Sequence, residues 1–187
     1  QGPAFIGDGA VIQTGAAIRE ETYIGPVCKV GGEVEATIFQ GYGNKQHDGF
    51  LGHSYVGSWT NIAADCVNSD LKNTYGTVRC ALNGRDHETG ELFLGALIGD
   101  HAKIGINVAM PTGCVVGLGA NVFGALAPKF VPSFTWLTDG HLRSYATDKM
   151  LAVAERVMAR RKRKLTEAQR ALLLEAVETA SWLDAGA

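Results

Sequence analysis

Three observations predict an all-β solenoid, a coiled parallel sheet with a small α-helical appendage. Ile6, Ile12, Ile18, Ile24 and Val30 fall at intervals of six residues, and Gly follows three of them. The period returns as Ile98, Ile104, Met110, Val116 and Val122, with Gly99, Gly105 and Gly117 in step. Beyond Pro128 and Pro132 it gives way to helical spacing. A period of six matches neither the 3.6 residues of an amphipathic helix nor the alternation of a lone strand. It fits a coil in which each unit is one short strand and one corner.

The elements follow in order. Phe5-Ile6, Val11-Ile12, Tyr23-Ile24 and Thr37-Ile38-Phe39 read as strands between Gly, Asp and Thr corners. The repeat lapses at 39–50 and resumes as Leu51-Gly52, Val56-Gly57 and Asn61-Ile62; it lapses again at 63–92. Residues 80–91 (CALNGRDHETGE) are polar with two glycines and read as a protruding loop. Regular hexads run from Phe93 to about Phe123, so the β-helix is expected over 1–127 and an extended segment with two helices over 128–187. Met150, Leu151, Ala154, Val157 and Met158 make 144–162 an amphipathic helix. Thr166 with Gln169 is a capping box that opens a second helix through Leu172, Leu173, Ala176 and Val177. Between them, Arg160-Arg161-Lys162-Arg163-Lys164 reads as solvated charge complementing a helix C-terminus.

Composition narrows the classes. In 187 residues, 46% are hydrophobic and 19% charged, both globular values, and no apolar run reaches membrane-spanning length. A net charge of −2 gives no support for a nucleic-acid or membrane partner. Cys28, Cys66, Cys80 and Cys114 show no CxxC pair or zinc-ribbon spacing, so they read as reduced thiols of a cytoplasmic protein. No signal peptide is visible. The chain starts at Gln1, already inside a repeat, which predicts a longer polypeptide with an upstream domain.

The segment from Asn44 to Gly52 (NKQHDGFLG), followed by Tyr55-Val56-Gly57 and Asn61-Ile62, resembles the hexapeptide-repeat acyltransferases. It is most similar to the acetyltransferase half of bifunctional sugar-phosphate nucleotidyltransferase/acetyltransferases. That family carries a catalytic His, an aromatic three residues on and an Asn fourteen residues after the His, and His47, Phe50 and Asn61 hold this spacing. Asn73–Arg79 (NTYGTVR), the stretch IGDHAKIGIN (98–107) and Tyr145 with Val157–Arg161 resemble the nucleotidyltransferase-linked members of bacteria and archaea. The resemblance implies a left-handed parallel β-helix, a homotrimer, and acetyl-CoA-dependent N-acetylation of an amino-sugar phosphate in clefts between protomers.

N-acetylation needs a proton acceptor, and an imidazole titrating near working pH suits it. His47 is the expected base, and Asn61 an amide to hold the acceptor or the acetyl group. The resemblance implies Arg19 as a phosphate ligand, with Lys72 and Arg79 as further cations and Phe50 as a stacking residue where the family has Tyr. It places Gly105-Ile106 and Gly124-Ala125 along CoA, where backbone amides could serve the oxyanion. The chain also departs from the pattern. Gly32-Glu33-Val34-Glu35 replaces a stretch bearing a Lys, Asp70 stands where a sugar-binding Asn is expected, Leu71 replaces Tyr, and Asp65 replaces a corner Gly. Glu35, Asp70 and Leu71 favour the alternative, a non-catalytic trimerising or regulatory β-helix of a nucleotidyltransferase, while the intact His47–Phe50–Asn61 spacing favours the enzyme.

No metal site is expected. His47 and His53 are six residues apart and so lie on successive faces, and His87-Glu88 lacks the rest of HExxH. Residues 117–124 (GLGANVFG) miss the dinucleotide fingerprint.

Overall fold

The computed structural model describes residues 1–183. The chain winds as a three-faced β-solenoid of about eight turns, the left-handed β-helix expected, and ends in two helices. Face A stacks seven parallel strands from Ala4–Ile6 to Phe130–Val131. Face B stacks seven parallel strands from Val11–Ile12 to Thr135–Thr138, and His141–Ser144 closes it antiparallel. Face C joins Ala17–Ile18, Glu33–Glu35 and Phe50–Gly52, and Val67–Asn68 pairs with Ala109–Met110 further along.

The hexads are inward ladders. On face A, Ile6, Ile24, Phe39, Val56, Ile98, Val116 and Val131 lie in register, one per coil. Stacking like on like at the roughly 4.8 Å strand spacing fills the prism with one continuous aliphatic core. Corners tolerate little extra volume. A Cβ on Gly25 would collide with the carbonyl of Gln40 on the next coil.

The structure corrects the sequence reading at several points. The repeat does not lapse at 39–50: Phe39, Lys45 and Leu51 keep the six-residue step, and Lys45 occupies an inward place in register with Val30. Asp65 sits comfortably at a corner with φ of 59°, a left-handed conformation that Asp tolerates better than most residues. The expected loop at 80–91 is a hairpin of Arg79–Leu82 against Arg85–Glu88. Asn83 and Gly84 both have positive φ at its tip, as a two-residue turn matched to strand twist requires. The coil continues past 127, because Pro132 occupies a corner between Phe130–Val131 and Thr135–Thr138 rather than ending the repeat.

Helix α1 spans Thr147–Ala159, shorter than the 144–162 expected, because Ser144 belongs to a strand and Arg160–Lys162 form a turn. Helix α2 spans Glu167–Leu183. Its capping box is formed: the Gln169 amide donates to Thr166 Oγ1 at 3.2 Å and the Thr166 amide donates to Gln169 Oε1 at 3.0 Å. Met150 and Leu151 of α1 and Leu173 of α2 pack with Phe134 and Tyr145 in a second apolar cluster that holds the helices to the coil.

Candidate active site

One edge of the prism, where face B turns into face C, gathers most of the expected catalytic and cofactor residues. Successive corners stack there: the Asp65 amide donates to the Asp48 carbonyl at 3.1 Å, and the Asn107 amide to the Ala64 carbonyl at 3.0 Å. His47 is exposed on this edge, one coil from Ala63. On the following coils opens a groove of about 580 Å³, lined among others by Asn61, Lys103, Gly105, Ile106, Gly124 and Ala125. Its size is that of a small-molecule site. All four residues proposed to line CoA therefore share one cavity with Asn61. Asn61 is oriented by a bond from Asn44 Nδ2 to its Oδ1 at 2.9 Å.

Two lysines brace the corners on either side of face B, Lys45 at this edge and Lys103 where face A turns into face B, and neither is among the residues the sequence singles out. Lys45 is fully buried, and its Nζ donates to the carbonyls of Gly31 at 2.9 Å and His47 at 3.0 Å. The ammonium thus pins the backbone of the candidate base. Burial pushes its pKa down, partly opposed by the thiol of Cys66 and the carboxylate of Asp48. Lys103 donates to the carbonyls of His101 at 2.7 Å and Trp59 at 2.9 Å, and burial pushes it down to about 8. A lysine standing where the hexad calls for an aliphatic residue is the available signal for Lys45.

The expected acceptor residues lie mainly on face C. Arg19 is held by Glu33 at 2.5 Å and lies 3.8 Å from Glu35, so the two acids of the departing segment already engage the cation expected for phosphate. Glu33 is in register with Phe50, and Glu35 with Gly52. A Cβ on Gly52 would strike both the Phe50 ring and the Asp70 carboxylate, so these two side chains meet over that glycine. At the border of faces C and A, Asp70 Oδ2 lies 2.8 Å from His53 Nδ1, and the His53 ring stacks on Phe93 with centroids 4.9 Å apart. The pair stands at one corner on successive coils, seventeen residues apart, a contact that only the stacking of coils reveals. Lys72 and Arg79 stand apart from the others. Lys72 Nζ donates to the Thr77 carbonyl at 2.9 Å, and Arg79 pairs with Glu88 within the hairpin. Candidate base and acceptor residues thus flank a strand only three residues long, about 10 Å.

His101, beside Lys103, is neutral over a wide range: burial and the nearby Lys103 ammonium push its pKa down to about 4. The four cysteines are buried and unpaired, and burial pushes the Cys114 thiol up to about 12. Among the described residues no helix is long and apolar enough to cross a membrane.

No family model matches the chain. Sequence relatives do. The chain is 30% identical over 122 residues to the bifunctional protein GlmU of Methanococcus vannielii, covering 63% of this chain and 28% of that protein. It is 29% identical over 109 residues to a bifunctional sugar-1-phosphate nucleotidylyltransferase/acetyltransferase of Sulfurisphaera tokodaii, covering 57% of this chain and 27% of that protein. The chain thus spans little more than a quarter of the length of these relatives. Among solved structures, a mutant of AntD, an N-acyltransferase from Bacillus cereus in complex with dTDP-4-amino-4,6-dideoxyglucose and coenzyme A, aligns with a TM-score of 0.44. That alignment has 16% identity and covers 81% of this chain and 89% of that one.

Proposed function

We propose that this chain, a member of the hexapeptide-repeat acyltransferase family related to GlmU-type bifunctional proteins, is an acetyl-CoA-dependent N-acetyltransferase acting on an amino-sugar phosphate. The observation that carries the reading is the edge groove, in which Asn61, Gly105, Ile106, Gly124 and Ala125 converge one coil beyond His47.

In this reading the neutral amine attacks the thioester carbonyl, and a C–N bond forms as the C–S bond breaks. His47 takes the amine proton, and the thiolate leaves and is protonated as CoA. Backbone amides along the groove are the available donors for the oxyanion. Glu33 and Glu35 engage Arg19, which is therefore taken out of reach of the acceptor's phosphate. Lys72 and Arg79 are the cations left to meet its phosphate.

A homotrimer belongs to the same reading. Outward along face A, Phe5, Tyr23, Ile38 and Tyr55 form an exposed in-register ladder, with Phe5 stacked on Tyr23 at 4.9 Å. An apolar stripe of that kind suits a partner copy. By analogy with the bifunctional relatives, an upstream nucleotidyltransferase domain is part of the proposal.

The test is thiol release from acetyl-CoA with glucosamine and galactosamine phosphates, run beside His47→Ala. Turnover that depends on the amino sugar and on His47 is expected. Equal rates in both proteins, or no turnover with any amino sugar, would overturn the reading.

A further inference from the structure

The basic run at the end of α1 does not simply face solvent. A cleft of about 420 Å³ lies between face B and the last turn of α1, and Lys29, Lys103, Arg160 and Arg161 all line it. Among the described residues, no carboxylate lines it. Elsewhere cations are neutralised locally: Arg19, Arg79 and Arg170 each pair with a glutamate. A helix C-terminus explains Arg160 and Arg161 alone. It does not explain why Lys29 and Lys103, from two coils of the sheet, border the same space, where like charges repel.

Further details fit an anion. Arg161 reaches across the cleft, with Nη1 donating to the Val27 carbonyl at 3.4 Å, so α1 is tied to the coil at this place. Asn44 and Gln46 add side-chain amides to the wall.

We infer that this cleft binds an organic phosphate, a phosphate or diphosphate ester held by Lys29, Arg160 and Arg161, with Lys103, whose donors are bonded to backbone carbonyls, adding its charge. Guanidinium forks suit phosphate oxygens in pairs, and the two lysines add point charges from the opposite wall. Asn61 and Lys103 also line the edge groove, so the cleft and the groove adjoin. The ester is therefore either the phosphate-bearing end of the molecule in the groove or a separate nucleotide. The inference requires only an anion and stands whether or not acetyl transfer occurs.

Calorimetric titration of the full chain with inorganic pyrophosphate tests it. Saturable binding is expected, weakened about tenfold or more by Arg160→Gln, Arg161→Gln or Lys29→Gln and unchanged by Arg85→Gln, which lies on the hairpin. A rise in Tm with pyrophosphate, lost in the same variants, is expected independently of the heat signal. CoA, dephospho-CoA and UDP distinguish the sources. Competition between CoA and pyrophosphate assigns the cleft to CoA phosphates, and simultaneous binding with competition by UDP assigns it to a separate nucleotide; either result upholds the site. No saturable pyrophosphate binding at millimolar concentration, or equal affinity in the Arg160→Gln, Arg161→Gln and wild-type proteins, would overturn it.

Discussion

His53 Nδ1 lies 2.8 Å from Asp70 Oδ2 across the border of faces C and A. Both side chains are mostly covered, at 29% and 17% exposure. The carboxylate accepts from Nδ1, so the neutral ring carries its lone pair on Nε2. Asp70, a departure from the family pattern, thus has a definite structural partner. Asp70→Ala is expected to reduce stability by about 1–2 kcal/mol in urea denaturation, because a half-covered imidazole loses its acceptor. Asp70→Asn, which keeps an acceptor oxygen, is expected to cost less. Equal losses would show that the bond carries none of the effect.

His47 is exposed, so its replacement leaves packing alone. His47→Ala is expected to lower acetyl transfer by about 10²–10⁴-fold, the usual worth of a general base. CoA affinity and Tm should stay at wild-type values, and steady-state kinetics beside a thermal melt separates the two effects.

Lys45 tests how the core holds the edge. Its stem replaces an aliphatic residue in the face B ladder, and its Nζ satisfies the carbonyls of Gly31 and His47. Lys45→Ala leaves a cavity and two orphaned carbonyls, with an expected cost of about 2–5 kcal/mol. Lys45→Met keeps the volume and removes a buried charge, so its cost should be about 1–2 kcal/mol. Met nevertheless releases the His47 carbonyl, and turnover should fall in both variants. Chemical denaturation and thiol-release assays on the pair distinguish a packing role from a positioning one.

His101 makes stability depend on pH. In the unfolded chain it takes up a proton near 6.5, and in the folded protein only near 4. Between those values the unfolded state binds more protons, so stability falls as pH drops from about 6.5 to about 4 and is level below, with an upper limit of about 3 kcal/mol. His101→Gln cannot titrate and is expected to flatten this part of the curve. Urea midpoints measured across that window read the difference, and an unchanged slope would place the dependence in the carboxylates instead.

Asn61 faces both the edge groove and the phosphate cleft. Asn61→Ala removes the acceptor of the Asn44 amide and a polar wall of each cavity. It should raise the KM for acetyl-CoA more than Phe50→Ala does, since Phe50 lies on face C. Initial rates at varied acetyl-CoA check the order.

The coil is legible because its signal is local and repeated. Each aliphatic step of six marks one inward strand, and the capping box of α2 declares its own start. Lys45 reads as a break in the sequence because a charged residue looks like a corner until the ladder shows its ammonium satisfied by two carbonyls. The Asn83-Gly84 tip carries a hairpin signal that its polar neighbours obscure. Of the candidate site, Asn61, Gly105, Ile106, Gly124 and Ala125 meet in one groove as their places in successive coils imply. Lys72 and Arg79 do not join them, because the hairpin and the turn before it have bonding partners of their own.

By itself, then, the sequence determined the solenoid and its two helices, because a repeat converts residue number directly into coil and face. Only the tertiary structure decided which charges are satisfied and which converge. Arg19 is neutralised by Glu33, His53 is oriented by Asp70, and Arg160 and Arg161 turn back toward Lys29. These relations join residues far apart in the chain through the stacking of coils and the docking of α1, and neither distance nor burial is written into a period of six.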